Sequence, residues 1–358
     1  MRYLFPGLLA GAVAALFFFI PVAGVEVHPE WWAPIGAIQG MQKSPYLKPA
    51  GPLFFVKTGD RDFFRLMGNG EVAASGSVTD GLSAFSGDGR FYVKYQKAGS
   101  SIELFNAKGD RFWKIDSLEY PCLSRSGKLI LLMNGDQSGF RAVDENGNPL
   151  PTDISGRIAT AVSFSPTGDC AGVGFFDGTY YFINAKGAVT GRGKTPAGTM
   201  VKSMAVSGNG LFAAVHYGNN GKDFIRVIEI AGDDYDDVEL KHVHRVKTSV
   251  HAGDNGFFTV IDVDRILYLT SSGRVRYSIA IPPKRDGHSA ISNQNGLYAV
   301  SYTMKNGTSK LILYRENGVI LFSREFPSES FLDAVLHNGL LFLRGSDNIY
   351  CYSIHGLI

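Results

Sequence analysis

The sequence predicts an all-β fold, a β-propeller of about eight four-stranded blades (seven on an alternative count), preceded by one N-terminal transmembrane or signal helix. Three observations carry this expectation. Glycine supplies 43 of 358 residues, about 12% against a usual ~7%, and aromatics supply 12%. A unit of about forty residues recurs from residue 46 onward. One uncharged run of 22 residues, Leu4–Val25, stands at the N-terminus. Apolar residues at 45% allow a real core, and charged residues at 19% are too few for a coiled coil or a disordered polyampholyte. A formal charge of +2 argues against general nucleic-acid binding, which needs a strongly basic face.

Residues 1–27 read as a membrane anchor or signal peptide. Leu4–Val25 matches the ~20 apolar residues that cross a bilayer as a helix. Arg2 on its short leading side places the bulk of the chain outside the cytoplasm. Trp31 and Trp32 follow where an interfacial anchor would sit. The alternative is signal cleavage near Val22-Ala23-Gly24, leaving a secreted or periplasmic protein. No cysteine lies near residue 20, so a lipid anchor is not expected. Residues 28–45 read as a linker and possible ring-closing strand.

Residues 46–358 read as the propeller. The central glycines of the units are Gly51, Gly89, Gly127, Gly168, Gly210, Gly256, Gly296 and Gly339, spaced 38, 38, 41, 42, 46, 40 and 43 residues apart. A second glycine follows in the first seven units: Gly70, Gly109, Gly147, Gly187, Gly232, Gly273 and Gly318. Glycine takes the positive φ that tight hairpin turns need. Each unit is therefore strand a, a glycine turn, strand b, a variable loop, strand c, a second glycine turn and strand d, which is one propeller blade.

The stretch Phe164-Ser-Pro-Thr-Gly168-Asp, continued by Phe176-Asp-Gly178 and Ile183-Asn-Ala-Lys-Gly187, resembles a WD40-type blade. Phe105-Asn-Ala-Lys-Gly109-Asp-Arg-Phe-Trp113 resembles the quinoprotein-like (PQQ-like) unit, in which an aromatic follows the c–d turn. The resemblance covers roughly residues 40–358. It implies a propeller superfamily made up mainly of interaction scaffolds, with a minority of enzymes. The eight-bladed propeller of the bacterial outer-membrane assembly machine is the nearest analogy. That protein is a lipoprotein, and this chain has no lipid-bearing cysteine.

The eighth unit has strands near Leu332–Leu336, Leu340–Arg344 and Ile349–Ile354 and ends one strand short. An open edge is unfavourable, so a strand within Val25–Gln42 is expected to pair beside Ile349–Ile354 and close the ring. In the seven-bladed alternative, Glu71–Val78 closes it and Leu53–Met67 is an extra hairpin.

Chemistry-bearing motifs are few. Cys122, Cys170 and Cys351 form no CxxC and read as buried thiols. His242 and His244 would share a strand face, but the charged surroundings read as a solvated outer strand. Asp233–Asp237 lacks the glycine and closing Glu of a calcium loop and reads as a solvated acidic turn. The inner a strands are small, apolar or Ser, which speaks against a charged catalytic funnel. No catalytic, cofactor-binding or metal-binding residue is assigned.

Recognition is expected on the b–c and d–a loops, which share one face and vary in length. The candidate partner-binding residues are Tyr95, Lys97, Asp136, Arg157, Tyr217, Lys222, Arg285, His288 and Lys305. The expected function is a membrane-tethered, extracytoplasmic scaffold for other envelope or membrane proteins, without nucleic acid. The alternative is a propeller enzyme, a hydrolase, lyase or quinone-dependent dehydrogenase using the central channel.

Overall fold

The computed structural model describes residues 25–39, 53–58, 62–78, 81–96, 100–106, 108–232 and 234–356. Residues 4–24 of the expected membrane run, Gly51, Lys97 and the first strand expected for unit one lie outside them.

Each repeat folds into one antiparallel sheet, and there are eight. Seven have four strands, and blade 1 has three among the described residues: Leu53–Thr58, Asp62–Met67 and Val72–Ser77. Val72–Ser77 pairs with Asp62–Met67 inside blade 1, so the seven-bladed alternative does not hold. Blade 2 shows the standard order: a (Leu82–Phe85), b (Phe91–Tyr95), c (Ser101–Asn106) and d (Arg111–Asp116). The one helix among the described residues is Ile35–Gln39. None of them forms a helix long and apolar enough to cross a membrane.

The a–b turn repeats because Ser and Gly divide its work. In four blades a buried serine ends strand a, and its hydroxyl accepts a hydrogen bond from the amide five residues on. These pairs are Phe91 N to Ser86 Oγ (3.0 Å), Leu129 N to Ser124 Oγ (3.2 Å), Cys170 N to Ser165 Oγ (3.1 Å) and Phe212 N to Ser207 Oγ (3.0 Å). The glycine three residues after each serine has φ between +64° and +79°, where a Cβ is unfavourable. The recurrent serines therefore shape turns. Gly256, Gly296 and Gly339 also have positive φ, as do Gly70, Gly109, Gly147, Gly187, Gly273 and Gly318. Gly232 is not among the positive-φ glycines, so the c–d turn of blade 5 is built differently.

Adjacent blades lock where strand d of one blade covers the c–d glycine of the next. A Cβ on Gly147 would stand 3.1 Å from the Trp113 ring, and the Trp113 indole donates to the Glu145 carbonyl at 3.0 Å. Tyr277 covers Gly318 and Leu150 covers Gly187 in the same way.

The closing strand is Glu26–Pro34, antiparallel to Asn348–His355 from Glu26↔His355 to Pro34↔Asn348, with a bulge between Pro29 and Trp31. It acts as strand d of blade 8 and repeats the lock. Trp31 lies over Gly70 of blade 1, and its indole donates to the Gly68 carbonyl at 2.7 Å. The expectation of an interfacial anchor thus fails for Trp31, which docks on protein. Behind it, Phe54 of blade 1 stacks on Phe342 of blade 8 at 4.7 Å. Ile38, Leu66, Ile349 and Cys351 complete this apolar seam. All three cysteines are free; Cys351 is buried, whereas Cys122 and Cys170 are only partly so.

Candidate functional site

Antiparallel order puts the a–b and c–d turns on one face of the disc and the b–c and d–a loops on the other. The loop face carries both the buried charges and an exposed apolar group.

One cluster of buried charges sits between blades 5 and 6. Lys202 Nζ lies 2.6 Å from Asp223 Oδ1 and donates to the His244 carbonyl at 2.8 Å. Asp223 Oδ2 accepts the His244 amide at 2.8 Å and lies 3.0 Å from His216 Nε2. His244 Nε2 is 3.1 Å from Asp262 Oδ1, and the Val263 amide donates to that same oxygen at 2.7 Å. Asp223, His216, His244 and Asp262 are all buried. Burial alone would raise the Asp223 carboxyl, but the hydrogen bonds from His216, Lys202 and the His244 amide outweigh it and hold its pKa below the usual range. Burial also lowers the His216 pKa, against the pull of Asp223.

Two sequence expectations are corrected here. His242 and His244 lie in the d–a loop after Asp234–Glu239, and His244 is a buried strut between blades, not part of a solvated strand. The acidic run is strand d of blade 5, not a turn. Asp237 holds the buried Arg226 guanidinium at 2.8 Å through both Nε and Nη2. The acidic run is solvated as expected, since Asp234, Asp236 and Asp237 are exposed, whereas His244 is buried because Asp262 of blade 6 pairs with it. His242, Asp262 and Asp264 bring donor atoms within 4.8 Å of one another, as a cation site would. Lys241 already pairs with Asp264 at 2.7 Å, and Arg265 lies 3.1 Å from Asp264 and 3.7 Å from Asp262. These side chains supply the positive charge that a cation would bring.

The exposed apolar group lies on blades 2 to 4. Leu118, Ile158 and Phe176 are 70%, 56% and 60% exposed, each in a loop of this face. Backbone hydrogen bonds lace the loops of Ile158 and Phe176 to each other and to the 137–138 loop: Arg157 N to Ser138 O, Ala159 N to Gln137 O and Phe176 N to Ile158 O, all 2.9 Å. Beside them a cleft of about 250 Å³ opens between Tyr120, Met133, Gln137, Ala159 and Val162.

Three of the sequence-selected residues border this area. Tyr95 packs edge-on against Tyr120 at 6.0 Å. Asp136 is exposed and caps the Ser138 amide at 2.9 Å. Arg157 pairs with Asp177 and donates to Thr179 Oγ1 at 3.0 Å. Four others lie elsewhere on the loop face. Lys222 is exposed, 3.0 Å from Glu239, and Arg285 and Lys305 are exposed; His288 Nε2 lies 2.8 Å from Asp333 Oδ1. Tyr217 does not reach the surface: it is 1% exposed and stacks on Phe224 at 5.4 Å. Leu118, Ile158 and Phe176 were missed by the sequence reading because a lone apolar residue in a loop has no periodicity to mark it.

The central channel also departs from expectation. Phe85, Leu123, Phe164 and Ile291 line it from a strands, as the sequence suggested, but Arg65, Arg90, Arg125, Asp88 and His337 gather at its mouth on the turn face. They escaped notice because they come from four different blades.

No protein-family model and no curated protein matches the sequence. Solved structures do match, 1472 chains in all, so likeness to any one of them carries the fold alone. BamB from Moraxella catarrhalis is 12% identical with a TM-score of 0.61, over 92% of this chain and 98% of that one. A computationally designed protein, Ika8, is also 12% identical with a TM-score of 0.60, over 85% of this chain and 94% of that one. A natural protein and a designed one match at nearly the same TM-score, so what distinguishes this chain is the surface it builds on the ring.

Proposed function

We propose that the protein is an interaction scaffold whose loop face docks other proteins of the cell envelope, held outside the cytoplasm by the uncharged run Leu4–Val25. The observation that carries the reading is the exposure of Leu118, Ile158 and Phe176 on one face, the latter two on interlaced loops, beside a cleft and bordered by Asp136 and Arg157. Apolar anchors within a polar rim are the usual anatomy of a protein–protein contact. The rigid ring beneath them fixes their geometry, which lowers the ordering cost of binding. Lys222, Arg285, His288 and Lys305 extend the polar surface along the same face. The closing strand begins directly after the uncharged run, which in this reading sets the ring close to the membrane.

A photo-crosslinking residue in place of Ile158, in the full-length chain in native membranes, tests the reading. A discrete adduct with an envelope protein, lost when Phe176→Asp is added, is the expected result. No adduct from Ile158, or one that Phe176→Asp leaves intact, would overturn it.

A further inference from the structure

We propose that the mouth of the central channel on the turn face binds a small organic oxyanion carried on an apolar body. The site is independent of the loop-face docking surface, on the opposite side of the disc.

The cavity measures about 650 Å³, within the range of small-molecule sites. Phe55, Phe85 and Phe164 line it and are partly exposed, backed by the buried pair Phe54 and Phe342 of the closing seam. Phe55 and Phe85 meet at 5.2 Å, so this wall is packed and preformed. The charges at the mouth do not balance. Arg65, Arg90 and Arg125 face a single carboxylate, Asp88, and Arg90 already pairs with it. Arg125 has no ion-pair partner among the described residues. Arg65 Nε is buried and lacks a hydrogen-bond partner.

An N–H held from water without an acceptor is costly, and a guanidinium more so. Nothing described in the fold relieves it. Burial lowers the Arg65 pKa and the Arg90 charge adds to this, while Asp88 opposes. Burial and the neighbouring Arg125 likewise lower that of His337. An incoming oxyanion would accept from Arg65 and Arg125 in the planar, forked geometry that guanidinium offers to carboxylate and phosphate alike. The phenylalanines would take the body of the ligand. A neutral apolar molecule would leave the guanidinium unsatisfied, and a bare inorganic ion would leave the aromatic wall uncovered. The pocket is thus built for both properties in one molecule.

Calorimetric titration of the full-length protein tests this with 3-phenylpropionate, phenyl phosphate, 3-phenylpropanol and inorganic phosphate. At least one of the two aryl anions should bind saturably at one site per chain, and whichever is tighter identifies the head group as carboxylate or phosphoester. The alcohol and inorganic phosphate should each bind at least tenfold more weakly. Arg65→Gln and Arg125→Gln should each weaken the aryl anion at least fivefold, whereas Arg111→Gln, on an outer strand, should not change it. Arg125 is exposed, so its variant keeps the test valid even where Arg65→Gln fails to fold. Absence of saturable binding, equal affinity for the alcohol or for inorganic phosphate, or affinity unchanged in Arg125→Gln would overturn the proposal.

Discussion

The two faces of the disc are held together by different means. The turn face repeats one solution in four blades, where a buried serine hydroxyl caps the turn and a glycine completes it at positive φ, as at Ser165 and Gly168; three further a–b glycines share the positive φ. The loop face repeats nothing. Between blades 5 and 6 it is held by the Lys202–Asp223–His216–His244–Asp262 network, and between blades 3 and 4 by backbone bonds among loops. One face depends on a recurrent turn, and the other on contacts that differ at each seam. The ring therefore keeps its geometry while its loop face is free to specialise.

This difference yields graded expectations. The largest effect belongs to the loop face. Asp223→Ala leaves Lys202 and His216 without their carboxylate, and loss of one partner from a buried ionic network costs about 3–5 kcal/mol. Denaturant unfolding should show it as a lower midpoint. Asp223→Asn, which keeps an acceptor, should cost less.

The next effect belongs to the turn face. Gly168 has φ +79°, and a Cβ there would stand 2.6 Å from the Ser126 amide nitrogen of the neighbouring blade. Gly168→Ala should cost about 2–3 kcal/mol by adding a clash to the left-handed penalty. Gly307, in a b–c loop with φ +88°, has nothing within 4 Å. Gly307→Ala should cost only the conformational term, about 1 kcal/mol. Equal losses at both sites would erase the distinction between a packed turn and an open loop.

A smaller effect is set by pH. Burial pushes the His251 pKa down to about 4, with Asp254 opposing. The folded protein thus keeps His251 neutral where the unfolded chain, with a pKa near ~6.5, takes up a proton. Stability from this group is complete above about pH 6.5, declines as pH falls, and levels off below about pH 4. The contribution is on the order of 2 kcal/mol once partial exposure is allowed for. His251→Phe should flatten the melting temperature across that window, and an unchanged pH profile would contradict it. His216 on the loop face acts in the same direction, so some acid sensitivity should survive in the variant.

The sequence revealed the turn face almost in full. Glycines at fixed spacing are the direct imprint of turns, and seven of the eight central glycines occupy positive φ, while Gly51 lies outside the described residues. Closure was legible for a similar reason: the last unit lacked one strand, and Val25–His28 alternated where a strand was needed. The loop face was largely opaque. His244 looked solvated because a charged residue reads as exposed until its partner is known, and that partner, Asp262, is 18 residues away. The arginines at the channel mouth are likewise brought together only by ring geometry.

The most direct test of the account compares two substitutions matched in exposure and opposite in face. Phe176 is 60% exposed on the loop face, and Val319 is 53% exposed beside a c–d turn. Both Phe176→Asp and Val319→Asp should leave the melting temperature within ~2 °C of the parent, since neither side chain is buried. Co-purification from crosslinked native membranes should then separate them: Phe176→Asp should lose its envelope partner by at least tenfold, and Val319→Asp should retain it. Equal retention by both, or loss on Val319→Asp alone, would contradict the assignment of function to the loop face.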